Sequence, residues 1–146
     1  MAKTVSADPT TVANRLRPAL LRLNRELRRE LHTLGVTGGQ VSLLIKIQKE
    51  RGIGVRELAR WERMSTPGMS KYIARLEAAG LVRRTEVPDR RRVGLELTPE
   101  GTRVLASVKR RRTAWLAERL RGLSPEELDA VDAAVEPLLK LLEVSA

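Results

Sequence analysis

Arginine is the residue type in this sequence best suited to binding chemistry. The chain has 146 residues, of which 28 are Lys or Arg and 18 are Asp or Glu, so its net charge is +10. The excess lies in the first two thirds: the net charge is +6 over residues 1–55, +5 over 56–92 and −1 over 93–146. Guanidinium groups bind phosphate and guanine through paired donors, so this charge favours a polyanionic partner over a merely solvated basic surface.

Three consecutive arginines follow an aspartate in the middle of the chain. The members of this run are Asp89, Arg90, Arg91 and Arg92. The run separates the segments 81–87 and 93–97, whose alternating residues predict two strands, so it is predicted to form the tip of a hairpin. A guanidinium at such a tip suits the narrow minor groove of DNA, where the negative potential is concentrated. The carboxylate two residues earlier can hold Arg91 in position.

A second set of polar side chains lies on a predicted helix just before that hairpin. The helix is expected to begin at Ser65 or Thr66 and to stop at Gly80. Its apolar face is formed by Met69, Ile73 and Leu76. The candidate DNA-contacting residues are Ser65, Thr66, Ser70, Lys71 and Arg75. The hydroxyl groups can donate to phosphates or base edges, and the two long basic side chains can reach guanine.

Helical patterns precede these two elements. An apolar stripe from Val12 to Leu31 predicts a first helix that ends by Gly35, and Pro18 inside it predicts a kink or a frayed first turn. A capping box at Thr37 opens a second helix. The segment 51–54 reads as a turn with room for a very short strand, and 55–61 reads as a short third helix that ends in a tight connection over 62–64.

Two long helical patterns follow the hairpin. One opens at Thr98 and ends at Gly122, and the other opens with a capping box at Ser124. Pro137 lies inside the last pattern, where a proline can kink a helix. Both helices carry apolar stripes that a module of roughly 50 residues in the middle of the chain cannot cover, so a second copy of the chain is expected to cover them.

The order of elements predicts a fold class. Two short helices joined by a three-residue turn form a DNA-binding unit when the second can enter a major groove, and a basic hairpin directly after it makes the unit winged. We therefore expect a mainly α fold with a small β-hairpin wing. The winged helix-turn-helix would cover residues 37–99, flanked by N- and C-terminal dimerisation helices over 1–36 and 100–146.

The sequence also argues against several classes of protein. It has no Cys and a single His, which excludes disulfides, thiolate nucleophiles, zinc–thiolate sites and multi-histidine metal sites within one chain. No nucleophile elbow or phosphate loop occurs, so we expect no catalytic residue, no metal, no cofactor and no enzyme activity. The start of the chain lacks the apolar core of a secretory signal, and no segment approaches the 18 or so apolar residues of a membrane span. We expect a cytoplasmic protein without a membrane partner.

Three motifs together resemble the MarR (multiple antibiotic resistance regulator) family. They are Met64-Ser-Thr-Pro-Gly-Met-Ser-Lys-Tyr-Ile-Ala-Arg-Leu-Glu-Ala-Ala-Gly-Leu-Val-Arg-Arg, Pro88-Asp-Arg-Arg-Arg-Val and Leu97-Thr-Pro-Glu-Gly. The resemblance implies a homodimeric winged-helix regulator, most often a repressor, that binds a pseudo-palindromic operator in double-stranded DNA. It makes the segment from Ser65 to Arg75 the recognition helix and Asp89 with Arg91 the wing-tip pair. Helices from both ends of the chain would form the dimerisation domain.

The resemblance also implies a small phenolic or lipophilic anionic effector that releases DNA. The candidate cleft residues are His32, Trp61 and Trp115. An ordinary surface or helix-end histidine is the simpler explanation of the first, and packing in the core or at an interface is the simpler explanation of the two tryptophans. A regulator without a ligand fits the sequence as well. Two other functions stay open: an architectural, non-specific DNA binder, and a winged-helix module that binds protein.

Overall fold

A computed structural model describes residues 6–87 and 92–143. The elements follow one another as α1 (Pro9–Arg29), a 3-10 turn (His32–Leu34), α2 (Gly38–Lys49), α3 (Val55–Glu62), α4 (Thr66–Ala78), β1 (Val82–Val87), β2 (Arg92–Leu97), α5 (Pro99–Leu120) and α6 (Pro125–Lys140). This order confirms the predicted fold class, a mostly helical chain with a β-hairpin wing formed by β1 and β2.

Polar side chains cap the helices where the sequence predicted caps. The hydroxyl of Thr37 accepts from the backbone N–H of Gln40 at 3.1 Å, and the Gln40 side chain accepts from the Thr37 N–H at 2.9 Å. Ser124 and Glu127 form the same reciprocal pair at the start of α6. Each box satisfies two N–H groups that have no partner inside the helix, which fixes where these helices begin.

The boundaries of α1 and of the turn after α3 differ from the predictions. Asp8 caps α1, so its first turn is not frayed, and the helix continues through Pro18 but already ends at Arg29. A 3-10 turn follows, which Gly35 terminates with φ +71°. The connection after α3 spans 63–65 instead of 62–64, because Glu62 is still helical. The last helix, α6, likewise continues through Pro137.

The chain divides into two compact units, Met1–Arg111 and Arg112–Ala146. All the buried apolar side chains of the described residues lie in the first unit: Leu31, Val36, Val41, Leu43, Leu44, Ile47, Ile53, Leu58, Ala59, Met69, Ile73, Leu76, Leu81, Val82, Leu95, Leu105 and Val108. The core is therefore aliphatic, apart from one methionine, in a chain that has only two Trp, one Tyr and no Phe. Within the described ranges, no helix is both long and apolar enough to cross a bilayer.

The hairpin is joined to the loop between α2 and α3. Its strands pair antiparallel from Val82 with Leu97 to Val87 with Arg92. Ile53 forms a single bridge with Leu95 on the other side of β2, so the segment is a turn with one bridging residue and not a full strand. A Cβ atom placed on Gly94 would overlap the backbone carbonyl of Gly52. Only glycine at position 94 allows this close approach. The contact holds the base of the wing next to the loop between α2 and α3.

Candidate nucleic-acid interface

Helix α4 has one buried face and one exposed face. Met69, Ile73 and Leu76 are fully buried and pack with α3 and the rest of the core. Lys71 and Arg75, one helical turn apart, are exposed. Burial of the apolar face holds the helix in place, so its basic side chains point into solvent as the sequence predicted.

The start of α4 is fixed by a side-chain cap. The hydroxyl oxygen of Ser65 accepts from the Gly68 N–H at 3.1 Å, which leaves its own proton free to donate. Thr66 is exposed in the first turn, and Ser70 is half-buried on the next turn. Ser65 therefore has a structural role that the sequence analysis did not assign to it. The predicted contacts of these hydroxyl groups with DNA stay a prediction.

A nearly buried carboxylate holds two arginines at the base of the wing. The Glu96 carboxylate accepts from Arg51 Nε at 2.7 Å and from Arg83 Nε at 2.5 Å, and Glu96 is 6% exposed. These two arginine hydrogen bonds hold the pKa of Glu96 below its ordinary value. Arg51 comes from the loop before α3, Arg83 from β1 and Glu96 from β2, so the cluster ties three segments together.

The sequence analysis missed this cluster. Arg83 and Glu96 are directly opposite each other in the hairpin register, and opposite charges on paired strands are a recognisable signal. Arg51 is 45 residues from Glu96, and no local pattern connects them.

A further ion pair connects the wing to α4. Arg84 Nε donates to a Glu77 carboxylate oxygen at 3.1 Å, which links β1 to the last turn of α4. The Thr98 hydroxyl donates to the Gly80 carbonyl at 2.5 Å and accepts from the Gly101 N–H at 3.0 Å, so it also caps α5. Together these bonds set the position of the hairpin relative to α4.

The predicted wing tip lies mostly outside the described residues. Asp89, Arg90 and Arg91 lie outside the described residues. Arg92 is the first residue of β2, where its backbone pairs with Val87. The assignment of this arginine run to the minor groove therefore stays a prediction from sequence.

The three candidate effector residues lie on different elements. His32 is exposed at the start of the 3-10 turn. Trp61, on α3, is 46% exposed and is therefore not a core residue, and the ammonium group of Lys46 lies 5.0 Å from its ring centroid. Trp115 is half-buried on α5, and the Arg119 guanidinium lies 5.2 Å from its ring centroid. Each indole thus already has a cation over its ring.

Residues 109–112 of α5 are four consecutive basic residues that are not all simply solvated. Lys109 and Arg110 are exposed. The guanidinium of Arg111 instead donates to the Thr33 hydroxyl, and its Nε lies 3.9 Å from a Glu30 carboxylate oxygen. Arg111 therefore links α5 to the segment that follows α1.

Comparison with known proteins supports a helix-turn-helix regulator. The family model that matches the chain is that of the MarR family, over residues 36–93. An uncharacterized HTH-type transcriptional regulator of Mycobacterium bovis, Mb0904, is 33% identical over 135 residues, which cover 92% of this chain and 94% of that protein. The chain belongs to the MarR family.

Two further similarities extend this result. The HTH-type transcriptional repressor MdtR of Bacillus subtilis is 30% identical over 108 residues, which cover 73% of this chain and 70% of that protein. A MarR family protein from Bacillus stearothermophilus has the same fold, with a TM-score of 0.80 at 24% identity over 95% of this chain and 100% of that one. MarR family members are DNA-binding transcription factors and not enzymes. The chain is therefore a DNA-binding transcriptional regulator.

Proposed function

We propose that this MarR family regulator binds a pseudo-palindromic operator as a homodimer and represses transcription. Each α4 would lie in a major groove, and each wing tip would reach the neighbouring minor groove. The observation that carries this proposal is the two-sided α4, with its apolar face buried and Lys71 and Arg75 exposed one turn apart. A helix held in this way presents the same side chains to every half-site.

The shape of the exposed face of α4 supports docking in the major groove. Ala74 is exposed and lies beside Lys71, on the side away from Arg75. A small residue at this position allows the helix axis to approach the bases, and the longer basic side chains can then reach guanine edges. Thr66 and Ser70 would contact phosphates or base edges earlier in the helix. The 13-residue helix is about 20 Å long, enough to span the groove.

Exposed apolar side chains on the outer helices support the homodimer. Neither α1 nor α6 contains a buried residue. The exposed large apolar side chains of these two helices are Val12, Leu20, Leu21, Leu23, Leu128, Val131, Val135 and Leu139. Those on α6 recur every three or four residues and so lie on one face. A second copy with the same stripes would cover them, and its α4 would reach a half-site about 10 bp away.

We further propose repression, with release by a small phenolic or lipophilic anion. MdtR, which is similar over most of this chain, is a repressor by name. The exposed arginines of α1 supply positive charge for an anionic effector. The candidate cleft residues stay His32, Trp61 and Trp115. Phenols and lipophilic acids that bind should raise the melting temperature and lower the affinity for DNA.

The experiment that tests the operator proposal is selection and sequencing of genomic fragments bound by the purified protein near physiological salt. Wild-type protein should enrich an inverted repeat. Lys71→Ala and Arg75→Ala should each lose about 1–3 kcal/mol of discrimination at one base pair per half-site. Arg91→Ala should bind more weakly and reduce the salt slope by about one.

The other outcomes separate the two competing functions. Broad recovery of DNA without a motif would favour an architectural binder. Normal enrichment by all three variants would contradict the assignment of α4 and the wing as the DNA interface. No recovery of DNA at all would favour a module that binds protein, or a regulator that needs its ligand to bind.

A further inference from the structure

Arg63 has an unusual backbone conformation. Its φ and ψ angles are 57° and 43°, in the left-handed region. Among the described residues it is the only non-glycine with a positive φ, and the others are Gly35, Gly52 and Gly80. A side chain in this region is disfavoured because its Cβ approaches the following carbonyl, so glycine is the usual occupant.

The surrounding turn, and not the Arg63 side chain, imposes this conformation. The Met64 N–H donates to the Ala59 carbonyl at 2.8 Å, and the Arg63 N–H donates to the Arg60 carbonyl at 3.2 Å. This pair of bonds closes a helix with one left-handed residue, a position where glycine is strongly favoured. The Met64 side chain then packs against the core. A glycine at 63 would satisfy the same turn at lower cost.

No contact within the described residues explains why an arginine occupies this position. Arg63 is exposed, and its guanidinium makes no hydrogen bond or ion pair with the rest of the described chain. Arg63 thus combines a disfavoured backbone conformation with a charged side chain that contacts no partner in the described chain. This combination points to a ligand outside the chain.

The position of Arg63 identifies the class of that ligand. It lies in the turn between α3 and α4, two residues before the cap that starts α4. When the second helix of such a unit enters a major groove, the preceding helix and the turn lie against the sugar–phosphate backbone at the edge of the groove. We propose that Arg63 binds a DNA backbone phosphate there. This inference rests on the proposed docking of α4.

The test uses three variants of Arg63 in the full-length protein. Arg63→Gly removes the charge and the backbone cost together, Arg63→Asn removes the charge and tolerates the left-handed region, and Arg63→Lys keeps the charge. Binding to a fluorescein-labelled 30-bp duplex of mixed sequence would be followed by anisotropy from about 50 to 200 mM salt. A phosphate contact does not depend on base sequence, so no operator is needed.

The expected result combines two opposite changes. Arg63→Gly should melt at a temperature at least as high as wild type and yet bind DNA more weakly. Its salt slope should fall by about one, so that its deficit relative to wild type shrinks about 3.5-fold between 50 and 200 mM salt. Arg63→Asn should bind like Arg63→Gly, and Arg63→Lys should restore the wild-type slope.

The controls separate this site from general charge and from α4 itself. Arg103→Ala removes an equal charge from α5, outside the helix-turn-helix and wing, and should change the slope much less. An unchanged slope in Arg63→Gly, or an equal change in Arg103→Ala, would overturn the phosphate contact. If Lys71→Ala and Arg75→Ala lose base discrimination in the genomic selection while Arg63→Gly binds the duplex like wild type, only this inference fails. If those two variants also discriminate normally, the proposed docking of α4 fails as well.

Discussion

The helix-turn-helix region and the outer helices use the same sequence pattern with opposite results. In α4 an apolar stripe at helical spacing is fully buried, whereas the apolar residues within α1 and α6 include no buried residue. A stripe identifies which side of a helix avoids water, but it does not identify what covers that side. In the middle of the chain the covering surface is local, and at both ends we propose that it comes from a second copy.

This contrast divides the chain into parts with different sources of stability. The region drawn from residues 31–108 buries its apolar side chains within one copy of the chain. The outer helices would gain theirs by association, so their contribution to stability would depend on protein concentration. The predictions below test that division, beginning with the largest expected effect.

The largest effect should come from the buried core. Leu44 on α2 is fully buried, so Leu44→Ala should lower the free energy of unfolding by about 2–5 kcal/mol at every protein concentration. The matched substitution on α6 is Leu139→Ala, because Leu139 is 49% exposed within one copy. Its cost in chemical denaturation should grow as the protein is concentrated. Equal costs for the two variants at all concentrations would remove the distinction between the regions.

A smaller loss of stability is expected where strand β2 of the wing touches the loop before α3. Gly94→Ala would push a methyl group into the Gly52 carbonyl and should cost about 1–3 kcal/mol of stability. Gly39→Ala is the matched control, because its Cβ would meet only the Thr37 hydroxyl oxygen, at 3.9 Å. In the first turn of α2 this control should be neutral or slightly stabilising. Thermal unfolding of both variants checks the difference, and a Gly94→Ala protein as stable as the control would contradict it.

The smallest effect should come from the charged cluster on the wing. The pKa of Glu96 is held below its ordinary value of 4.5, so the carboxylate stabilises the fold above that pH. This contribution should decline as the pH falls through the lowered pKa. Glu96→Gln should therefore be less stable than wild type at pH 7, and the gap should close in acid. Denaturation of both proteins from pH 7 to 3 checks this, and a gap independent of pH would show that Glu96 acts by packing alone.

Local patterns predicted most of the fold. Three correctly predicted features each depend on residues within a few positions of one another. They are the capping boxes at Thr37 and Ser124, the buried face of α4, and the alternating residues of the two strands. Such signals fix where an element begins and which side is apolar. They were sufficient to place Lys71 and Arg75 on the exposed side of α4.

Contacts between distant segments could not be predicted in the same way. The pairing of Arg51 with Glu96 and of Arg111 with Thr33 joins residues 45 and 78 positions apart. The left-handed Arg63 was missed because turn prediction relies on glycine, and here an arginine stands in its place. The apolar stripe was expected to mark the length of the first helix, but α1 ends at Arg29. The stripe continues beyond it because Leu31, at the start of the 3-10 turn, is also buried in the core.

The two tryptophans offer a separate optical reporter for each unit of the chain. Trp61 lies in the first unit beside a lysine, and Trp115 lies in the second beside an arginine; neither is part of the buried core. With no phenylalanine and one tyrosine, the near-ultraviolet emission of the protein comes almost entirely from these two indoles. Trp61→Tyr and Trp115→Tyr would each leave a single emitter. Quenching by iodide, measured on each variant in turn, could then follow the first unit and the second unit separately during a DNA titration.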